Sequence, residues 1–298
     1  MEYRKLGKSD LNISAIGFGC MSLKDNQQQN ETIIHEALEY GINYFDTADL
    51  YDRGMNEVSV GKALKFKRAQ AILATKVGNQ WRSDGSGWDW NPNKKYILAA
   101  VEESLKRLQT DYIDVYQLHG GTIDDPVDET IEAFELLQKQ GKIRWYGISS
   151  IRPNVIREYV QRSNIVSVMM QYSLLDRRAE ETCLQLLRQN EIGVLTRGSL
   201  ASGLLAGKPE KPYLNYNVEE VQKAATAVKN LSGSNRSQAQ TAIQYVLQNP
   251  AVTAAIVGIR TIEQLKDAAE TVNVQQLTKS EAEQLSRSIA ANVYDQHR

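Results

Sequence analysis

Ionisable and hydrogen-bonding side chains stand at the ends of short apolar segments, and these residues are the best suited to chemistry. In chain order they are Asp46, Lys76, His119, Ser149 with Ser150, Gln171, and Thr196 with Arg197. Carboxylate, ammonium and imidazole groups are the usual participants in proton transfer. Lys76 is informative because burying an ammonium group without a partner is costly. The 3 histidines are not at metal-ligand spacing, so the residues predict one site without a metal.

The elements that would position these side chains are short apolar strands alternating with helical patterns. The predicted strands are Ile13–Gly19, Asn43–Asp46, Ile72–Lys76, Ile113–Leu118, Trp145–Ser149, Val166–Gln171, Val194–Thr196 and Ala255–Val257. The predicted helices are Glu31–Tyr40, Asn56–Leu64, Lys94–Leu108, Asp128–Gln140, Pro153–Val160, Glu180–Gln189, Gln238–Gln248 and Ile262–Val272. Eight such units predict an α/β fold, the closed (β/α)8 TIM barrel, with the strand-end residues at one mouth. An open, doubly wound sheet is the alternative, and the count of eight favours closure.

Further segments lie outside the eight units. Residues 3–11 indicate an N-terminal hairpin that plugs the other end of the barrel, and Thr278 is suited to cap a C-terminal helix. Gly78–Pro92 and Ala201–Arg236 are long segments expected at the active-site mouth. The whole chain, residues 1–298, is predicted to form one domain.

Composition narrows the class of protein. The 298 residues are 42% hydrophobic and 24% charged, with 35 basic and 36 acidic side chains and a net charge of -1. This balance gives no basic surface for nucleic acid or an anionic membrane, and no apolar run approaches the ~20 residues of a membrane span. The cysteines, Cys20 and Cys183, are too few for a disulfide framework. We expect a soluble, cytoplasmic protein acting on small molecules, as a monomer or weak homo-oligomer.

A series of short motifs runs along nearly the whole chain. The motifs are Gly17-Phe18-Gly19-Cys20-Met21, Asp46-Thr47-Ala48 through Tyr51, Asn56-Glu57, Thr75-Lys76, Leu118-His119, Gly141-Lys142-Ile143-Arg144, Gly147-Ile148-Ser149, Gln171-Tyr172-Ser173 and Gly203-Leu204-Leu205. This ordered series resembles the aldo-keto reductase superfamily, in its bacterial-type branch that is similar to channel beta subunits. The resemblance implies reduction of aldehydes and ketones to alcohols by hydride from NADP(H).

The resemblance also assigns catalytic roles. It implies Tyr51 as the proton donor, Lys76 and Asp46 as the pair that tunes it, and His119 as the group that orients the carbonyl. An ammonium group beside a phenol stabilises the phenolate, which eases proton delivery to a developing alkoxide. Asp46 would hold Lys76 in place and keep it charged.

A cofactor site is implied in the same way. Its implied residues are Gly19, Cys20, Met21, Ser149, Gln171, Arg197, Gly198, Ser199, Leu200, Gly258, Arg260 and Gln264. Ser149 and Gln171 would bind the nicotinamide carboxamide, and the backbone of residues 198–200 would bind the pyrophosphate. Arg260, at a predicted helix start, is suited to a 2′-phosphate, which favours NADP(H) over NAD(H).

The substrate site is expected at Tyr51 and His119, with Trp81 and Trp88 as an aromatic wall for an apolar carbonyl compound. Ordinary loop packing of the tryptophans is the alternative. Two other functions stay open: a non-catalytic subunit that senses NADPH, and a Schiff-base enzyme that uses Lys76. The complete Asp–Tyr–Lys–His set argues against the first, and the absence of a paired strand-end phosphate loop argues against the second.

Overall fold

The computed structural model describes residues 1–298 and contains twelve strands. They are β1 (Tyr3–Lys5), β2 (Asn12–Ser14), β3 (Ile16–Gly19), β4 (Tyr44–Asp46), β5 (Ile72–Val77), β6 (Asn79–Trp81), β7 (Trp88–Trp90), β8 (Ile113–Leu118), β9 (Ile143–Ser149), β10 (Ser167–Gln171), β11 (Gly193–Arg197) and β12 (Val252–Gly258). Eight of them form a closed parallel barrel in the order β10-β11-β12-β3-β4-β5-β8-β9. The predicted (β/α)8 TIM barrel is confirmed, and the open sheet is not formed.

Ten α-helices accompany the strands. They are α1 (Gln27–Glu39), α2 (Met55–Leu64), α3 (Lys94–Leu108), α4 (Val127–Lys139), α5 (Pro153–Arg162), α6 (Cys183–Gln189), α7 (Val218–Asn230), α8 (Gln238–Leu247), α9 (Ile262–Ala269) and α10 (Lys279–Arg287). The sequence explains why they pack as they do: in α3, for example, Ile97, Val101 and Leu105 recur at intervals of four and are buried. None of the helices has both the length and the apolar character needed to cross a membrane.

The N-terminal hairpin closes the end of the barrel opposite the strand carboxyl ends. β1 pairs with β2, so that Tyr3 faces Ser14, and the connecting turn passes through Gly7 at φ +53°. Leu6 and Leu11 are buried in one apolar cluster with side chains of the inner barrel. The hairpin plug is therefore confirmed. The predicted first strand, Ile13–Gly19, is in fact two strands, because residues 12–14 pair within the hairpin and residues 16–19 within the barrel.

The two long segments at the active-site mouth contain secondary structure that the sequence did not predict. Gly78–Pro92 holds the antiparallel hairpin of β6 and β7. Ala201–Arg236 holds helix α7. The side chain of its N-cap Asn217 accepts a hydrogen bond from the Glu220 amide, and the Glu220 side chain accepts one from the Asn217 amide. The predicted C-terminal helix is also present as α10, capped by Thr278.

Candidate active site

A cavity of about 910 Å³ opens at the carboxyl ends of the barrel strands. Asp46 ends β4, Lys76 lies near the end of β5, and His119 directly follows β8. These three side chains line the cavity together with Tyr51, so the structure brings the four expected catalytic residues into one place. Parallel strands make this possible, because their carboxyl ends all emerge on the same side of the barrel.

Lys76 and Asp46 form a buried ion pair in this cavity. The Lys76 Nζ donates to Asp46 Oδ2 at 2.6 Å and to the Thr47 carbonyl at 2.7 Å. Burial alone would lower the pKa of Lys76, but the Asp46 carboxylate and Tyr51 outweigh it and hold that pKa above its ordinary value. Burial raises the pKa of Asp46, and Lys76 and Gln117 oppose that rise. Lys76 therefore carries the proton and stays an ammonium group at neutral pH.

Tyr51 stands next to this ammonium group. Its hydroxyl lies 3.4 Å from Lys76 Nζ, within hydrogen-bond reach. The Tyr51 amide donates to the Ala48 carbonyl at 3.2 Å, which starts a short 3-10 turn from Tyr51 to Gly54. The turn needs left-handed backbone at Asp52, with φ 46°, and at its neighbour Arg53, with φ 51°. Such strained conformations concentrate at functional sites.

His119 faces Tyr51 from the opposite wall. The two rings meet edge to face with centroids 5.8 Å apart. Burial, together with the charges of Lys76 and Arg197, lowers the pKa of His119 to about 3. The imidazole is therefore neutral at physiological pH. Its Nδ1 is enclosed without a partner, so Nε2 is the nitrogen available to a molecule in the cavity.

Buried polar contacts hold the expected catalytic residues and their neighbours in place. Gln117 Nε2 donates to Asp46 Oδ1 at 3.3 Å. Thr47 Oγ1 donates to Asn56 Oδ1 at 2.6 Å, and Asn56 Nδ2 donates to the Cys20 carbonyl at 2.8 Å. Glu57 has a separate set of partners, Thr75 and Arg107. The Asn56-Glu57 motif therefore fastens the segment that carries Tyr51 to the barrel.

At the ends of β10 and β11, two of the expected cofactor residues, Gln171 and Arg197, are hydrogen-bonded to each other. Arg197 Nη1 donates to Gln171 Oε1 at 2.9 Å, and Gln171 Nε2 donates to the Tyr213 hydroxyl at 3.1 Å. A carboxamide can reach the Gln171 amide only by sharing or displacing these partners. Gly198 follows at φ +73°, and Ser199 is held through its hydroxyl by Thr196 at 3.1 Å.

The neighbouring part of the same cavity lies at β12, which pairs with β11, and at α9. Gly258, Arg260 and Gln264 line it, and Asp267 is further along α9. The Thr261 hydroxyl caps α9 by accepting from the Gln264 amide, while Gln264 Oε1 accepts from the Arg260 amide. No carboxylate lies within ion-pair distance of the Arg260 guanidinium, which leaves its donors free for a ligand.

Most of the remaining expected cofactor residues also line this cavity: Gly19, Met21, Ser149 and Leu200. Three expected site residues do not line it. Cys20 is fully buried, and its thiol contacts the Phe18 carbonyl. Trp81 donates its Nε1 hydrogen to the Leu50 carbonyl at 3.1 Å, and Trp88 is 47% exposed on the outer hairpin. The expected aromatic wall is wrong, because β6 and β7 hold both rings outside the cavity.

Several lining residues were missed from the sequence. Arg152, Lys208 and Tyr213 contribute polar groups to the cavity, and Leu50 and Ile243 contribute apolar surface. Arg152 follows β9 by three positions, so strand-end placement could have identified it. Lys208 and Tyr213 lie in the long segment after β11, where no strand or motif signals their position.

Comparison with known proteins decides the family. A model described as the Aldo/keto reductase family matches residues 15–290. The chain belongs to this family. This aldo/keto reductase is 51% identical over 307 residues to "Uncharacterized oxidoreductase YqkF" of Bacillus subtilis (strain 168), with 100% of each chain covered. It is 35% identical over 230 residues to the NADH-specific methylglyoxal reductase of Escherichia coli (strain K12), with 70% of each chain covered.

Among solved structures, the aldo-keto reductase AKR11C1 from Bacillus halodurans (holo form) is similar to this aldo/keto reductase over its whole length. The two share 51% sequence identity and a TM-score of 0.94, covering 100% of this chain and 99% of that one. Enzymes of the family use a nicotinamide cofactor, so the residues of this cavity can be tested for their fit to one.

The cavity fits such a dinucleotide in shape and in charge. A Cβ atom on Gly258 would lie 2.5 Å from Ser22 Oγ, and one on Gly19 would lie 3.2 Å from the Val257 carbonyl oxygen. Glycine at these two positions therefore keeps this rim of the cavity free of side chains. Arg197, Lys208 and Arg260 supply cationic donors along the same wall, as a pyrophosphate and a further phosphate require.

Proposed function

We propose that this aldo/keto reductase reduces aldehydes and ketones to alcohols with NADPH, and that Tyr51 donates the proton. The observation that carries the proposal is the position of Lys76 Nζ, 2.6 Å from Asp46 Oδ2 and 3.4 Å from the Tyr51 hydroxyl. A charged ammonium group held against a phenol in a cavity suits general acid catalysis toward a carbonyl oxygen.

Four side chains have separate roles in the proposed reaction. Nicotinamide, when bound, supplies a hydride. The Tyr51 hydroxyl gives its proton to the carbonyl oxygen, and the Lys76 ammonium group stabilises the phenolate that remains. Because His119 is neutral, it can donate a hydrogen bond to the same oxygen without adding a charge. Asp46 keeps Lys76 oriented and protonated throughout.

This arrangement suits a reductase better than a Schiff-base enzyme. A Schiff-base lysine attacks as a neutral amine, and such lysines have a lowered pKa. The pKa of Lys76 is raised, and its Nζ is engaged by Asp46, Thr47 and Tyr51. We expect borohydride treatment in the presence of an aldehyde to leave the mass of a Lys76-containing peptide unchanged. A mass increase from a trapped substrate would favour the Schiff-base enzyme instead.

NADPH is proposed over NADH because of Arg260. Its guanidinium has no carboxylate partner, and it stands at the capped start of α9, where a 2′-phosphate would meet both the side chain and helix amides. Cofactor preference varies in the family, as the name of the NADH-specific relative shows. Fluorescence titration of the wild-type protein with NADPH and NADH tests this part, and equal affinities would contradict it.

The test of the catalytic assignment is Tyr51→Phe. Loss of the proton donor is expected to lower kcat for aldehyde reduction by at least about 100-fold, the usual contribution of a general acid. NADPH binding, followed by fluorescence, is expected to persist. Tyr3→Phe, on the hairpin at the far end of the barrel, is the matched control and should reduce aldehydes at the wild-type rate.

A Tyr51→Phe variant that keeps the wild-type rate would contradict the role of Tyr51. A wild-type protein that binds NADPH tightly and reduces no member of a broad aldehyde panel would favour the NADPH-sensing subunit. Size-exclusion chromatography with light scattering separately tests the expectation of a monomer or weak homo-oligomer.

A further inference from the structure

Unpaired cations line the cavity on two sides. Its basic side chains are Lys76, Arg152, Arg197, Lys208 and Arg260, and its acidic ones are Asp46 and Asp267. Asp46 is neutralised by Lys76, and Asp267 accepts a hydrogen bond from Ser237 at 2.9 Å. The other four cations form no ion pair. Three of the four follow β11 and β12, at the end suited to the cofactor phosphates, and only Arg152 stands elsewhere.

The barrel order separates Arg152 from the phosphate end. Arg152 follows β9, which is three strands away from β12 around the ring. Its Nη1 donates to the carbonyl of Gly121, in the segment after β8, and β8 lies directly opposite β12. Gly121 is two residues beyond His119. The guanidinium is therefore fastened to the same segment that carries the imidazole expected to contact the carbonyl.

The remaining donors of Arg152 are free. A guanidinium has five N–H donors, and here only Nη1 makes a hydrogen bond. The Asp125 carboxylate lies close to Gly121 in space, and it is satisfied by other groups. It accepts from the Thr122 amide at 2.7 Å and from Trp90 Nε1 at 2.9 Å. A half-buried arginine that lines a reaction cavity without a counter-ion is suited to bind an anion through Nε and Nη2.

We propose that Arg152 binds the anionic group of the carbonyl substrate, a carboxylate or a phosphate, and so makes this enzyme selective for negatively charged aldehydes and ketones. The inference rests on the proposed reductase function. Arg152 acts on binding and orientation and takes no part in the proton transfer. Helix α5 starts beside Arg152, at Pro153, and the positive end of its dipole also attracts an anion.

The test compares pairs of aldehydes in which one member carries an anionic group and the other does not. The probes are the three isomers of carboxybenzaldehyde, each against its methyl ester, and glyceraldehyde 3-phosphate against glyceraldehyde. The measured quantity is the ratio of kcat/KM for the charged to the uncharged member, which does not depend on the fraction of folded enzyme. We expect the wild-type ratio to exceed one for at least one pair, and that pair identifies the preferred anion.

Arg152→Gln is expected to lower this ratio about 10- to 100-fold, because a hydrogen-bonded charge is lost and the uncharged substrate never used it. Arg152→Lys should restore part of the ratio, since it keeps the charge. Arg157→Gln, one turn further along α5 and outside the cavity, is the control and should keep the wild-type ratio.

Two results would overturn the inference: a wild-type ratio of one or less for every pair, or a ratio that is the same in Arg152→Gln as in the wild type. The ratio of dissociation constants, measured by calorimetry, answers the same question without turnover. Failure to reduce any aldehyde therefore overturns the proposed function, while the binding ratio still decides the role of Arg152.

Discussion

The Asp49 carboxyl group lies two residues before Tyr51 and is buried beside a second acidic side chain, Glu57. One of its oxygens, Oδ1, has no hydrogen-bond partner, and Oδ2 is 3.5 Å from the Tyr96 hydroxyl. Burial and, to a lesser extent, the charge of Glu57 raise the pKa of Asp49 to about 8, against the opposing charge of Arg107. Asp49 is therefore a neutral acid in the folded protein at pH 7, although the mechanism does not use it.

This protonation makes stability depend on pH. In the unfolded chain the carboxyl group has its ordinary pKa of 3.8, so between about pH 4 and pH 8 the folded state binds more protons than the unfolded state. The free energy of unfolding therefore falls as pH rises through this window, by at most about 1.4 kcal/mol per pH unit. We expect Asp49→Asn, which is neutral at every pH, to flatten the fall in thermal denaturation between pH 5 and pH 8.

The exposed carboxylate Asp111 supplies the control, because Asp111→Asn should leave the pH profile of denaturation parallel to that of the wild type. If Asp49→Asn also gives a parallel profile, Asp49 is ionised in the folded protein. In that case its buried negative charge would be repelled by Glu57 and stabilised by Arg107.

For individual residues, the sequence predicted the site correctly wherever a strand end sets the position of the side chain. Asp46 ends β4 opposite Ala74 of β5, and Lys76 lies two residues further along β5 on the same face, so strand pairing brings the two side chains close together. Cys20 and Trp81 do not line the cavity, because each lies beyond the end of a barrel strand, where the chain leaves the parallel register that sets side-chain direction. The partners of Asp49 come from α2 and α3, and no motif spacing connects them.

Among the secondary-structure elements, the β6–β7 hairpin packs on the barrel mainly through the ring of Trp90, in addition to the Trp81 hydrogen bond to Leu50. Trp90 packs over Gly78, at φ +126°, and over Gly120, which directly follows His119. A Cβ on Gly78 would lie 2.6 Å from Trp90 Cζ3. The ring is also held by its hydrogen bond to Asp125. The hairpin thus packs against the segments that carry Lys76 and His119, although its outer tryptophan does not reach the cavity.

Gly78→Ala is expected to displace the Trp90 ring and to lower the free energy of unfolding by about 1–3 kcal/mol, from backbone strain and overpacking together. Thermal denaturation and tryptophan fluorescence measure the two effects. Gly233→Ala is the matched control, because Gly233 has no atom near the new Cβ and no positive φ. An unchanged melting temperature in Gly78→Ala would mean that the hairpin moves freely relative to the barrel.

The prediction of elements succeeded where apolar periodicity was strong and failed where it was weak. The predicted limits of α3 and β8 are those of the structure. Helix α7 was missed because its buried face is only Val221, Ala224 and Val228, set among polar residues. The division of the first strand at Ala15 could not be predicted either, since residues on both sides are apolar and only their pairing partners differ.

Considered as a whole, the molecule has a net charge of -1, so its surface provides little general attraction for an anionic cofactor. The attraction must come from the few unpaired cations of the cavity. It is therefore local, and removal of one cation should affect only the ligand group that this cation meets. Arg260 offers the clearest case, because the proposed ligand group, the 2′-phosphate, is present in NADPH and absent from NADH.

Cofactor binding should accordingly stabilise the whole fold, and the amount should depend on Arg260. At a concentration 100-fold above its dissociation constant, NADPH is expected to raise the free energy of unfolding by about 2.7 kcal/mol, which appears as an increase of several degrees in melting temperature. If Arg260→Ala weakens NADPH binding about tenfold, as loss of an arginine–phosphate contact predicts, the gain at the same concentration falls to about half. The increase produced by NADH should be the same in both proteins. Equal losses with the two cofactors would show that Arg260 contacts a group that they share, and the preference for NADPH would then have to be assigned to another residue.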